Sequence, residues 1–151
     1  MGITLQSSLR ARCTAHRGTI MALDIHDKFA IEDLLRRYCY SADYDPPETM
    51  RELFVPEAVF EIPAMDIRCA GIDNIIAFFT QSRSGPYASA RHVINNVVVE
   101  GDGDSAKSSA YLQVLRADNG TVNIVSVGRY TDTLTRTPAG WRLAQRTVLI
   151  G

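Results

Sequence analysis

Four stretches in the C-terminal half constrain this chain more than anything else in it. Ala90 to Glu100, Ser105 to Arg116, Val122 to Arg136 and Gly140 to Ile150 all favour extended backbone, and the turns between them read G-D-G-D, D-N-G and T-P-A-G. β-Branched residues such as Val93, Ile94, Val97, Val98 and Val99 suit a pleated surface, while Gly, Asn and Asp tolerate tight-turn conformations. Four such segments in succession predict an antiparallel meander. The G-D-G-D turn lacks the spaced acidic ligands of a calcium loop and is read as a hairpin.

The first of these strands carries a histidine at its mouth. Strict alternation puts His92 on one face with Ile94, Asn96 and Val98, and Arg91 on the other with Val93, Asn95, Val97 and Val99. An imidazole among aliphatic neighbours is either a satisfied core histidine or a catalytic base, and spacing leaves both open.

Ahead of the meander the periodicity is helical. Asp24 is placed to cap a helix whose apolar positions, Ile31, Leu34, Leu35, Tyr38, Cys39 and Ala42, form one stripe at i, i+3, i+4, i+7, i+8 and i+11. Asp43 follows at the edge of that stripe, before Pro46 and Pro47 end the helix. A carboxylate there faces the negative end of the helix dipole, so helix stability does not explain it. It is a solvated loop residue or part of a site. A short helix is expected over Glu48 to Phe54, an edge strand over Glu57 to Pro63, and a third helix from Gly71 through Ile72, Ile75, Ile76, Phe78 and Phe79. Gln81 to Ser89 reads as a connection. Helices followed by a meander predict an α+β domain with the helices on one face of a curved sheet.

The chain has 151 residues, 46% apolar and 22% charged, which suits a single soluble domain. No apolar run approaches a bilayer span, and a formal charge of -1 offers no footprint for nucleic acid or an anionic membrane. Cys13, Cys39 and Cys69 lack metal-like or redox-like spacing, which points to free thiols in a reducing cytoplasm. Residues 1–20 hold Arg10, Arg12, His16 and Arg17 but no acidic residue, and are expected to form a loosely ordered extension to a domain spanning 21–151. There is no phosphate-binding glycine loop, dinucleotide fingerprint, nucleophile-elbow serine or metal-spaced His/Cys cluster. The enzymatic option left is acid/base chemistry with no cofactor and no metal.

The stretches I-E-D-L-L-R-R-Y-C-Y-S-A-D, R-E-L-F-V-P-E-A-V-F-E, A-R-H-V-I-N-N, V-G-R-Y-T-D-T and G-W-R-L-A-Q-R together resemble the SnoaL-like group of the nuclear transport factor 2-like superfamily, over roughly Asp24 to Ile150. The resemblance implies a cone of three helices against a strongly bent, mixed, mostly antiparallel sheet, enclosing an apolar pocket. Dehydratases and dehydrochlorinases of that group pair an aspartate at the end of the first helix with a histidine on the strand after the third, and Asp43 and His92 match those positions. The resemblance thus implies a catalytic dyad, with a small hydrophobic cyclic or polyketide-like substrate held among Tyr38, Phe54, Phe60, Met65, Phe78, Val98, Tyr111 and Tyr130. Tyr38, Tyr111 or Tyr130 would hydrogen-bond a developing enolate.

The match is incomplete. The steroid isomerases' aspartate base falls at Ile62, scytalone dehydratase's second histidine near Leu115 and Arg116, and its tyrosine beside the helix-end aspartate at Ala42. A non-catalytic binding protein, or an accessory subunit like the small subunit of ring-hydroxylating dioxygenases, shares the fold without needing a dyad. Trp141, early in the last strand, is expected to be structural. The uncovered sheet face implies a homodimer or homotrimer.

Overall fold

The computed structural model describes residues 22–85 and 88–151, so the extension expected over 1–20, and Cys13 within it, lie outside the described residues. The first helix, α1 (Ile25–Asp43), starts where the Asp24 carboxylate accepts the Asp27 N–H at 2.8 Å. Its buried face carries the expected stripe of Ile31, Leu34, Leu35, Tyr38, Cys39 and Ala42. The second helical segment is a short 3-10 helix, Pro47–Glu52. It stops earlier than its sequence suggested because Phe54 is drawn into β1 (Phe54–Ile62), where its ring is buried.

β1 is not the edge strand its alternation implied. A 3-10 turn at Pro63–Met65, closed by Asp66 in the left-handed conformation, folds the chain back into β2 (Ile67–Ala70), which covers the outer side of β1. Only four residues long, β2 offers too little alternation to be read from sequence. The second α-helix, α2 (Ile72–Ser82), leads to the meander of β3 (Ala90–Asp102), β4 (Ser105–Asp118), β5 (Thr121–Thr137) and β6 (Gly140–Ile150). The six strands run in the order β2-β1-β6-β5-β4-β3, antiparallel except for the parallel pair β1–β6. The helices pack on the inner face of this curved sheet, giving the α+β cone.

Three bulges within the meander control which of its side chains enter that cone. Asn95 pairs with Tyr111 but Val98 with Ser109, so one extra residue is accommodated in β3, with Asn96 at φ 52°. His92 and Ile94 therefore face inward, and after the bulge Val97 and Val99 do so in place of Asn96 and Val98. Val98 is 54% exposed on the outer face, a correction to its expected place in the pocket wall. β5 carries an extra residue between Ile124 and Ser126, and β6 one between Leu143 and Gln145.

The shift in β6 turns Arg146 into the core, where it is fully buried. Its Nε and Nη2 donate to Asp132 at 2.8 Å each, Ser108 Oγ donates to the same carboxylate at 2.8 Å, and the guanidinium lies 4.0 Å from the Tyr38 ring centroid and 4.1 Å from that of Tyr130. Burial disfavours the charge on Arg146, but Asp132 more than offsets this and holds its pKa above the ordinary value. At the wide end of the sheet, Trp141 is buried as expected and its indole N–H donates to Asp27 at 3.1 Å, tying the start of α1 to the last hairpin.

Removing one partner of a buried ion pair strands the other. We expect Asp132→Ala to lower unfolding free energy by about 3–5 kcal/mol in urea titrations. The double replacement Asp132→Leu/Arg146→Met should cost much less, and equal losses would show that the pair is not the reason for the instability.

Candidate active site

Asp43 closes α1 and His92 sits near the start of β3. Asp43 Oδ2 accepts the His92 backbone N–H at 2.8 Å, and Oδ1 lies 2.6 Å from His92 Nδ1. The carboxylate side chain is 5% exposed and the imidazole 24%. An ionised carboxylate can only accept, so a neutral imidazole in this contact carries its proton on Nδ1 and presents Nε2 as the bare nitrogen. Two donors on one carboxylate also answer why a negative charge stands at the unfavourable end of a helix. The contact is available because β3 is an edge strand, and the N–H of His92 is free to leave the ladder.

Both residues line a cavity of about 190 Å³ between the helices and the sheet. Its walls come from α1 (Tyr38, Ala42), from β1 to β2 (Phe60, Ile62, Met65, Ile67), from α2 and the loop after it (Phe78, Phe79, Ser82, Arg83, Ala88) and from the inner sheet face (Ala90, Leu112, Val114, Ser126, Tyr130, Val148, Ile150). Most of this surface is apolar. Tyr38 meets Tyr130 and Phe79 edge-on at 5.7 and 5.9 Å, and Phe60 contacts both Phe78 and Phe79, so the aromatic wall is one packed cluster. Burial pushes the Tyr38 and Tyr130 hydroxyls well above their ordinary range, so both stay protonated far past neutral. Burial likewise pushes the Cys39 thiol up to about 11, which leaves it a poor nucleophile.

Of the residues anticipated around the substrate, Tyr38, Phe60, Met65, Phe78 and Tyr130 line the cavity, with Met65 half exposed at its mouth. Two do not. Phe54 is 2% exposed and packs edge-on behind Tyr38 at 6.0 Å, in the core rather than on the cavity surface. Tyr111 points away from the cone and is 55% exposed, because its neighbours Ala110 and Leu112 take the inward positions of β4. It cannot serve an enolate inside the cavity.

Other polar residues of the site carry no recognisable motif. Arg83 follows α2 and lines the cavity, and its Nη2 donates to the Ser41 carbonyl in the last turn of α1. In sequence it passes for a cation placed to complement a helix C-terminus. Arg146 was hidden by the bulge in β6, since strict alternation from Trp141 and Leu143 sends it outward. Among the described residues, no group of three or more His, Cys, Asp or Glu side chains comes together as a metal site would require.

A family model described as a SnoaL-like domain matches residues 24–147. The small subunit of anthranilate 1,2-dioxygenase from Burkholderia cepacia is 28% identical over 141 residues, covering 83% of this chain and 88% of that protein. An uncharacterized protein of Mycobacterium tuberculosis H37Rv is 28% identical over 136 residues, covering 86% and 89%. Among solved structures, an NTF2-like protein with a cystatin-like fold from Novosphingobium aromaticivorans is 28% identical and superposes with a TM-score of 0.76, covering 83% of this chain and 82% of that one.

The two buried phenols generate a pH dependence whose sign is fixed. Their folded pKa values are raised, so the folded protein holds protons that the unfolded chain releases above the ordinary phenol value of about 10. Stability from this source is complete below that pH and falls as pH rises beyond it. Urea midpoints measured from neutral to strongly alkaline pH should decline above about pH 10 and decline less steeply in Tyr130→Phe. An unchanged slope in that variant would show that Tyr130 is not responsible.

Proposed function

Since the chain belongs to the SnoaL-like domain family and holds an Asp43–His92 contact in the wall of an apolar cavity, we propose that it is a cofactor-independent acid/base enzyme of the dehydratase, isomerase or cyclase type. Its substrate on this reading is a small hydrophobic cyclic or polyketide-like molecule. The observation that carries the proposal is the double hydrogen bond from His92 to Asp43, which orients a neutral imidazole with Nε2 bare.

The chemistry follows from that tautomer. Nε2 takes a proton from a carbon next to a carbonyl, and the C–H electron pair moves into the carbonyl to give an enolate. Asp43 stabilises the imidazolium formed and keeps the ring in place. Collapse of the enolate then expels a β-hydroxyl that receives the proton from His92, giving dehydration; the proton returns to another carbon, giving isomerisation; or the enolate carbon attacks a second carbonyl of the substrate, whose oxygen takes the proton, giving cyclisation. Tyr38 and Tyr130, protonated at all ordinary pH values, are the phenol donors in the lining. The apolar walls exclude water and strengthen each of these interactions.

One comparison favours a second reading, that the protein is an accessory subunit. Its similarity to the anthranilate 1,2-dioxygenase small subunit spans most of both chains. A subunit needs no oriented base in its cavity, which is why we place the enzyme first. Either role suits a protein that associates through the outer sheet face, where Val93, Tyr111, Val122, Ile124 and Val127 stand exposed. We propose that a second copy covers this face in a homodimer or homotrimer. Sedimentation of the purified protein at micromolar concentration should give an oligomer, and a monomer would refute this. The free Cys39 and Cys69 suit a reducing cytoplasm, and among the described residues no helix is long and apolar enough to cross a membrane.

Turnover of cyclic hydroxy-ketones and enones, followed by chromatography, tests the catalytic reading. We expect His92→Ala to lose about a hundred- to ten-thousandfold in rate while remaining folded. Asp43→Asn should lose much of the rate by permitting the wrong tautomer. Native rates in both variants would make the dyad structural and favour the subunit.

A further inference from the structure

Two arginines lie close to the cavity, and they differ in one respect. Arg146 has its carboxylate, Asp132, and its charge is neutralised beneath the tyrosines. Arg83 lines the cavity itself, and among the described residues its guanidinium makes one hydrogen bond, from Nη2 to the Ser41 carbonyl, and no ion pair. Its Nε is shut off from water with no acceptor, as is Nη1 of Arg146, so the difference between the two is the carboxylate that Arg146 has and Arg83 lacks. A buried donor without a partner costs about 1–3 kcal/mol, more when it belongs to a charged group. A guanidinium has five donors in a planar fork that matches a carboxylate or another oxyanion.

The position matters as much as the vacancy for an acceptor. Ser41 is two residues before Asp43, so the bond to its carbonyl fixes Arg83 against the same turn of α1 that holds the dyad. The cavity lining thus holds a proton acceptor, His92, and a cation, Arg83, that makes no ion pair among the described residues, while most of the remaining surface is apolar or aromatic. Charge that appears on a substrate oxygen when His92 removes a proton would find its counter-ion there.

We propose that Arg83 is a substrate-binding residue that holds an oxyanion on an otherwise apolar, ring-sized ligand. The role rests on the acid/base reading given above and narrows its substrate class: the molecule carries an acidic or enolisable oxygen within reach of Arg83. That oxygen is either a carboxylate, charged before reaction, or the enolate oxygen, charged only after proton removal. Purely hydrocarbon or halogenated ligands lack the group that Arg83 is built to meet.

Isothermal titration of the full chain with benzoate, 4-nitrophenolate and neutral benzamide tests this directly. We expect wild-type protein to bind at least one of the two anions about tenfold or more tightly than benzamide. Preference for benzoate alone identifies a substrate carboxylate, and preference for the phenolate alone an enolate. Arg83→Gln should erase the preference. Arg83→Lys, which keeps the charge and a donor for Ser41 but not the fork, should retain part of it. Circular dichroism confirms that each variant is folded, and if Arg83→Gln fails to fold, the comparison rests on Arg83→Lys, whose preference must fall below that of wild type. His92→Ala should retain the preference, which separates this site from the dyad. Anions bound no better than benzamide by wild type, or a preference undiminished in the folded Arg83 variants, would overturn the proposal. If the anion site stands while the dyad variants turn over at native rates, the acid/base reading falls alone. If the anion preference is absent while His92→Ala loses turnover, only the role of Arg83 falls.

Discussion

The carboxylate of Asp43, bound to both the backbone and the ring of His92, joins two parts of the chain that nothing else in the sequence obliges to meet. The residues are 49 positions apart, one at the negative end of a helix and the other on the edge strand of a sheet. Each placement is unfavourable by itself. The helix end repels the charge, and an edge-strand N–H lacks a ladder partner. Together they satisfy one another and tie the last turn of α1 to the start of β3. Both residues line the cavity between the helices and the sheet.

Beneath that cavity lies a second constraint of a different kind. An apolar pocket floored by aromatic rings is easily filled by their own repacking. Here the Arg146 guanidinium lies against both the Tyr38 and the Tyr130 ring, and Arg146 is held by Asp132, whose carboxylate also accepts from Ser108. A buried ion pair is a poor source of stability but a good source of fixed geometry. The contrast with Arg83 is chemical. Arg146 is paired with the carboxylate of Asp132, while Arg83 lines the cavity and makes no ion pair among the described residues.

Much of this was legible in the residues themselves. The stripe from Ile31 to Ala42 and the turn signals of the meander led to the fold, while Asp43 and His92 stood out by placement but were paired only through the resemblance to the SnoaL-like group. The faces of Val98 and Arg146 were hidden by one cause, which is that a pleated strand read with strict period two cannot reveal a bulge. Asn96 shifts the face of Val98, and the extra residue in β6 brings Arg146 inside. Tyr111 failed differently. Its outward position follows from alternation with Ala110 and Leu112, but an aromatic residue near a presumed pocket is easily assigned to it. Phe54 is apolar and buried as expected, and only packing distinguishes a residue behind the wall from one on its surface. Arg83 gave no signal at all, because its importance lies in what does not contact it.

The central claim is that Asp43 fixes His92 as a neutral base with Nε2 free. Nitrogen-15 NMR of histidine-labelled protein above the imidazole pKa measures this without any substrate. The account predicts a protonated, pyrrole-like resonance for His92 Nδ1 and a bare, pyridine-like one for Nε2, with Asp43→Asn disturbing that assignment. A proton resident on Nε2 in the wild-type protein would contradict it.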